Sequence, residues 1–174
     1  MVVVLLGGTC SGKTEFALKF KKYGFEKVIT NTTRERRVDD AENAYHFLTK
    51  EQFFNKVNNG EMIEYAEYNG NYYGSSVDSL SKNCVIVLEP NGYYALKNKL
   101  GTSIFSIYLD VPDKVRLQRG ILRGDKKEIL MQRIKDDKEL FKNFNSGICN
   151  IVLKEIKYDD MDKFIEENLL SFLS

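Results

Sequence analysis

Residues 7 to 14 read Gly7-Gly8-Thr9-Cys10-Ser11-Gly12-Lys13-Thr14 and follow directly on the apolar run Val2 to Leu6. A glycine-rich turn placed where a buried strand passes into a helix restricts the chain to an α/β arrangement. It frees backbone N–H groups to converge on phosphate oxygens, and the N-terminus of the following helix adds its positive dipole end. In this Walker A pattern Lys13 reaches the terminal phosphates of a nucleotide and the Thr14 hydroxyl ligates magnesium. The whole run from Gly7 to Thr14 is therefore expected to bind the phosphoryl donor. A plain glycine turn with a solvated Lys13 would account for the glycines, but not for the full pattern in strand-to-helix context.

At 174 residues the chain suits one well-buried domain. Hydrophobic residues make up 43% and charged residues 29%, and no apolar run approaches the roughly 20 residues that span a bilayer. The short N-terminal apolar stretch lacks a basic lead and reads as a strand, not as a signal peptide. A formal charge of +1 removes the general electrostatic case for nucleic-acid binding, so any anion site must be local. Cys10, Cys84 and Cys149 are far apart and lack metal-ligand spacing, which fits a reducing, cytoplasmic setting. His46 is the only histidine. It reads as a loop or edge-strand residue, and no histidine-based metal site or triad is expected.

Further buried strands are expected at Lys27 to Thr30, Cys84 to Leu88, Ser103 to Leu109 and Asn150 to Leu153. Helical patterns fall between them, at Val77 to Lys82, Tyr93 to Leu100, Pro112 to Leu122, Lys127 to Phe144 and Met161 to Leu173. Phe16, Ala17, Leu18 and Phe20 are expected on the packed side of the helix after the loop. Strands alternating with helices indicate a P-loop NTPase-type parallel sheet flanked by helices. One segment breaks the alternation. Thr49 with Gln52 forms a capping-box pattern before Phe53, Phe54 and Val57, and Gly60 can end that helix. Glu61 to Tyr68, the Asn69-Gly70 pair and Asn71 to Tyr73 then give a hairpin signal. Residues 31 to 82 thus read as an α+β insertion.

Inside that insertion lie Thr32-Thr33-Arg34-Glu35-Arg36-Arg37, Tyr45-His46-Phe47, Ile63-Glu64-Tyr65 and Gly70-Asn71-Tyr72-Tyr73-Gly74-Ser75. In order and spacing this resembles guanylate kinase, whose pattern runs from Thr-Thr-Arg-x-x-Arg through Tyr-x-Phe and Ile-Glu-Trp to Gly-Asn-Tyr-Tyr-Gly-[Ser/Thr]. The resemblance extends over nearly the whole chain. A physical case stands beside it. A nucleotide kinase brings two anionic groups together, so cations and hydroxyl donors are needed at the acceptor phosphate too. Arg34 and Arg37 offer planar forks matched to phosphate oxygens, and Tyr45 and Tyr73 can donate phenolic O–H groups. The resemblance implies that these four hold the GMP phosphate. It puts Glu64 on the N1–H and N2 amine edge of guanine, with Thr30 and Ser75 near O6. A carboxylate can accept both guanine donors, whereas adenine carries an acceptor at N1. Arg119, Arg123 and Arg133 flank a Gly124-Asp125 break and match the arginines of the family's closing lid, where they neutralise charge on the transferring group.

Some residues depart from the family pattern. The segment Val87-Leu88-Glu89-Pro90 carries Val87 where the family has a first aspartate, associated with magnesium and donor phosphates. Glu89 takes the place of the second, associated with the guanine amine. The spacing from Arg123 to Arg133 is shorter than the family's, and Leu153-Lys154-Glu155 stands where the family has Val-Asn-Asp near the adenine site. The resemblance implies a cytoplasmic enzyme using MgATP and GMP or dGMP, monomeric or homodimeric, with no nucleic-acid or membrane partner. Its core would comprise residues 1–30, 83–118 and 138–174, its GMP-binding region residues 31–82, and its lid residues 119–137. A P-loop kinase of another phosphorylated small molecule, or a guanylate-kinase-like protein-binding module, would share parts of the pattern. The module reading sits poorly with an intact phosphate loop.

Overall fold

A computed structural model of the chain describes residues 1–36, 38, 40, 42–68, 70–154 and 157–169. Arg37, Asn69 and Glu155, and the last residues of the expected C-terminal helix, lie outside the described residues.

Strand β1 (Val2–Gly7) is buried along its whole length, as a run of valines and leucines without a polar face must be. It pairs in parallel with two later strands, Cys84–Val87 and Ile104–Asp110, and two further strands, Glu26–Lys27 and Ile151–Lys154, lie at the edges. Numbered in chain order these are β7, β8, β2 and β9, and the sheet runs β2-β7-β1-β8-β9. The period of two along β1 divides the core. Val3 and Leu5 join Phe16, Phe20, Val85, Ile107, Met161 and Ile165 on one face. Val2, Val4 and Leu6 join Ile86, Leu88, Tyr93, Leu96 and Ile104 on the other. Helices α1 (Lys13–Lys19) and α6 (Asp160–Asn168) cover the first face, and α3 (Pro90–Leu100) covers the second. Each fully buried Leu, Ile or Phe here contributes about 1.5–3 kcal/mol relative to exposure.

A second, mixed sheet is built from β3 (Asn31–Thr32), β4 (His46–Phe47), β5 (Met62–Tyr68) and β6 (Asn71–Ser76), in the order β4-β3-β6-β5. His46 lies on its edge strand. Before β5, α2 (Lys50–Asn58) starts on the expected capping box: the Thr49 side chain accepts from the Gln52 amide and the Gln52 side chain from that of Thr49. Helices α4 (Asp113–Leu122) and α5 (Lys127–Leu140) follow β8 and pack closely, Gly120 lying under Leu130.

Several boundaries differ from the sequence reading. Leu18 is 55% exposed, because Phe16, Ala17 and Phe20 share one face of the helical turn and Leu18 falls opposite. The first edge strand lies at 26–27, not 27–30, although the Val28 amide still donates to Val85. Val77 to Lys82 gives only a single tight turn at Val77–Ser79, too short a span before β7 for a helix to nucleate. Helix α3 begins earlier than expected, with Pro90 in its first turn, where a missing N–H costs nothing. Helix α5 ends at Leu140, ahead of Phe144, whose ring instead packs on Tyr93, Tyr94, Tyr108 and Phe141.

Candidate active site

The glycine-rich turn leaves β1 at Gly7 (φ 141°) and enters α1 through Gly12 (φ 99°). A side chain at Gly7 would stand 2.8 Å from the Leu109 carbonyl oxygen, so sterics and backbone both demand glycine there. Cys10 also has a positive φ, 60°, and is the only non-glycine residue among those described that does. Within the loop Lys13 Nζ donates to the carbonyls of Gly7 at 2.6 Å and Gly8 at 2.7 Å. Burial lowers its pKa to about 8, partly offset by the nearby carboxylates of Asp137 and Glu89 and reinforced by Arg116. Ser11 Oγ is buried with no hydrogen-bond partner among the described residues.

Lys13 borders two cavities. One, of about 280 Å³, is lined by Cys10 to Glu15 together with Arg119 and Arg123, and so brings Thr14 and both arginines together. Arg119 donates to the Ser11 carbonyl at 3.1 Å, and Arg123 pairs with Asp125 and approaches the Cys10 sulfur at 3.6 Å. The other cavity, of about 300 Å³, opens between the carboxyl ends of the parallel strands and the second sheet. Lys13, Val87 and Glu89 line its core side, Thr30, Glu64 and Tyr73 its second-sheet side, and Asp137, Leu140 and Phe141 its third wall.

Glu64 is placed by the β5–β6 pairing, which brings the Ser75 amide within 3.0 Å of its Oε1. Burial raises its pKa, opposed by hydrogen bonding from Ser75. Ser75 is itself buried beside it, and Asn31 Nδ2 locks the strand by donating to Gly74 O and Ser76 Oγ. Arg34 lies 5.4 Å from the Tyr45 ring, and the Tyr45 and Tyr73 rings are 6.0 Å apart. The structure therefore gathers Arg34, Tyr45 and Tyr73. Arg133 is exposed on α5 and borders a third, shallower cavity with Thr9, Glu89, Asp136, Asp137 and Leu140. Val87 is half-buried against the core while still lining the cleft, and burial raises the pKa of Glu89, with Lys13 pulling it down.

Three charged residues went unnoticed in the sequence. Asp40 accepts a two-pronged contact from Arg34 Nη2, at 2.8 and 2.9 Å. Arg116 and Asp137 clasp Thr9, Asp137 Oδ2 accepting from the Thr9 amide at 2.6 Å and Arg116 Nη1 donating to the Thr9 carbonyl at 3.1 Å. Asp40 had a signal, an acid six residues after an arginine in one loop. Arg116 and Asp137 had none, because the pair forms only when two helices meet the loop.

A phosphate loop at the carboxyl end of a parallel sheet, its lysine bordering both a cleft lined by Arg119 and Arg123 and one lined by Glu64, Glu89 and Tyr73, defines the nucleotide-kinase class of P-loop phosphotransferases. The family profile described as "Guanylate kinase" matches residues 1–171, and the chain belongs to that family. It is 29% identical to the guanylate kinase of Lactococcus lactis subsp. lactis over 181 residues, covering 95% of this chain and 87% of that protein. To the guanylate kinase of Streptococcus mutans it is 34% identical over 142 residues, 75% of this chain and 67% of that protein. The crystal structure of guanylate kinase from Anaplasma phagocytophilum superposes with a TM-score of 0.71 at 21% identity, covering 99% of this chain and 85% of that one, a likeness of fold.

Proposed function

We propose that this chain transfers the terminal phosphoryl group of ATP to GMP and to dGMP, giving ADP with GDP or dGDP. The observation that carries this reading is the position of Lys13 on the wall shared by two cavities, so that one ammonium faces both donor and acceptor phosphates. ATP lies along Gly7 to Thr14, its phosphates met by the loop amides, Arg119 and Arg123. GMP fills the cleft toward the second sheet, with its phosphate on Arg34, Arg37, Tyr45 and Tyr73 and its base on Glu64, Thr30, Ser75 and Glu89. The acceptor oxygen is already ionised near neutral pH and no general base is required. The residues act by alignment and charge neutralisation, with Arg133 closing over the transferring group.

Among the described residues no group of three or more His, Cys, Asp or Glu side chains is placed to hold a metal ion. The Thr14 hydroxyl, which lines the same cleft as Lys13, would hold Mg²⁺ carried in on the nucleotide. Bound so, the ion supplies charge neutralisation at the phosphate oxygens. Residues 31–82 serve as the acceptor-binding region, residues 119–137 as the lid, and the remainder as the core. Among the described residues no helix is long and apolar enough to cross a membrane, and we assign the protein to the cytoplasm as a monomer or homodimer without nucleic-acid or membrane partners. Measuring ADP release with GMP, dGMP, AMP, UMP and a phosphorylated sugar tests the reading. Turnover is expected with the two guanine nucleotides. Equal rates on AMP would remove the guanine assignment, and preference for the sugar would remove the nucleotide acceptor.

A further inference from the structure

We propose that Asp137 is a positioning residue for phosphoryl transfer: held by Arg116, it seats α5 on the phosphate loop and thereby sets the reach of Arg133. The inference rests on the kinase reading of the site.

Arg116 is only 5% exposed, and a guanidinium so buried is tolerated only when it is fully paired. Nη2 donates to Asp113 Oδ1 at 2.6 Å, and Nη1 donates to Asp137 Oδ2 at 2.5 Å and to the Thr9 carbonyl. Lys138 holds the other oxygen of Asp113 at 2.7 Å, so two neighbours on α5 grip α4. The carboxylate of Asp137 in turn takes the Thr9 amide, so the N–H and C=O of one loop residue are both held by this ion pair. The fit is close. A Cβ on Gly8 would lie 2.1 Å from Arg116 Nη1 and 2.8 Å from Asp137 Oδ2, so the loop residue at position 8 must be glycine for the pair to form.

Arg133 lies one helical turn before Asp137 on the same face of α5, and both border the cavity that Thr9 and Glu89 also line. The register between α5 and the loop therefore fixes where a guanidinium at 133 can reach. A clip with no role beyond stability could sit anywhere along α5. This one sits where the helix meets the transfer cavity.

The test is a double-mutant cycle in steady-state kinetics with GMP and MgATP, with melting temperatures measured in parallel. Asp137→Asn keeps the shape and weakens the ionic grip. It is expected to lower kcat by about tenfold or more with the GMP KM within about twofold, since alignment rather than acceptor binding is lost. Arg116→Lys cannot hold Asp137 and Thr9 together, and is expected to show the same kcat-selective loss if the asparagine variant folds poorly. In an Arg133→Met background either change should cost little further. Losses that multiply independently of Arg133, or melting temperatures that fall while kcat is unchanged, overturn the inference and leave the kinase reading standing. Full activity of Arg133→Met removes both this role for Asp137 and the lid role of Arg133. Absence of ADP release with GMP from the unmodified protein would strike the kinase reading itself.

Discussion

Lys13 folds its charged end back on a half-buried loop and satisfies it on two backbone carbonyls, partners that a bound phosphate can replace. Its pKa, lowered to about 8 by burial, has two consequences of defined sign. The kcat/KM for ATP should fall on the alkaline side with a midpoint near pH 8, as the free enzyme loses this cation. For stability, the folded value lies below the ordinary 10.5, so the unfolded chain binds more protons between those limits and stability rises with pH across them. Below pH 8 the full cost of burying the ammonium is present. Lys13→Met should therefore nearly abolish transfer while leaving the melting temperature equal or higher, and any stability advantage should shrink as the buffer is taken from pH 7 to pH 10. Retention of half the turnover would remove the phosphate-loop role. Glu64 presents the parallel case on the acceptor side. Its Oε1 accepts from the Ser75 amide while the side chain lines the cleft, where a guanine would present two donors. Glu64→Gln puts an NH₂ donor in that place, and kcat/KM for GMP is expected to drop by roughly 10²-fold, with that for ATP little changed. Because burial raises the Glu64 pKa, GMP binding should also weaken on acidification at a higher pH than an ordinary glutamate would give.

At the scale of elements, what could be read from sequence follows the range of the interactions. The β1 strand, its loop and α1 are specified by neighbours in the chain, and the α2 capping box by residues three apart, so all were legible. The helix pattern at 77–82 failed because the chain needs those residues to return from β6 to β7, and tertiary demand outranks propensity. In the site, the glycine-rich loop stood out as a pattern of neighbouring residues, whereas Glu64, which lines the cleft, was singled out only by the family resemblance. The Arg116–Asp137 clasp was not legible, since the two residues meet only where two helices reach the loop, and for the Arg34–Asp40 pair the one signal was an acid six residues after an arginine. The β7–α3 junction is where the departure from the family can be tested. Val87 is half-buried yet faces the cleft, and Glu89, at the N-cap position of α3 without a side-chain capping bond, lines the same space. Val87→Asp would thus gain access to water at one edge, and we expect it to fold with turnover preserved or raised. Glu89→Gln is expected to slow the reaction or raise the Mg²⁺ requirement, if this carboxylate assists the nucleotide-borne ion. Rates titrated against Mg²⁺, alongside melting temperatures, decide between these roles. An unfolded Val87→Asp with an unaffected Glu89→Gln would give the junction to the core alone.

Across the molecule, three parts meet around Lys13: the carboxyl ends of the parallel strands and the second sheet at one cleft, and the α4–α5 pair, whose Arg119 and Arg123 line the neighbouring one. Each brings charge already occupied by an internal partner. Arg34 is held by Asp40, Arg123 by Asp125, and Lys13 by loop carbonyls. On the proposed reading, nucleotide phosphates entering the cleft would offer these cations new oxygens, and the exchange would draw the second sheet and the helix pair toward the loop. A water-filled cleft would let solvent compete for the phosphoryl group, so closure also serves the chemistry. Binding both nucleotides should accordingly protect amides in residues 31–82 and around Arg123, measured by hydrogen exchange with GMP and a non-hydrolysable ATP analogue. GMP alone should protect mainly the second sheet, and the ATP analogue alone mainly the loop and the α4–α5 turn. Protection confined to the phosphate loop with both ligands present would mean that the cleft is already in its reactive shape, and that the ion pairs at Arg34 and Arg123 do not rearrange.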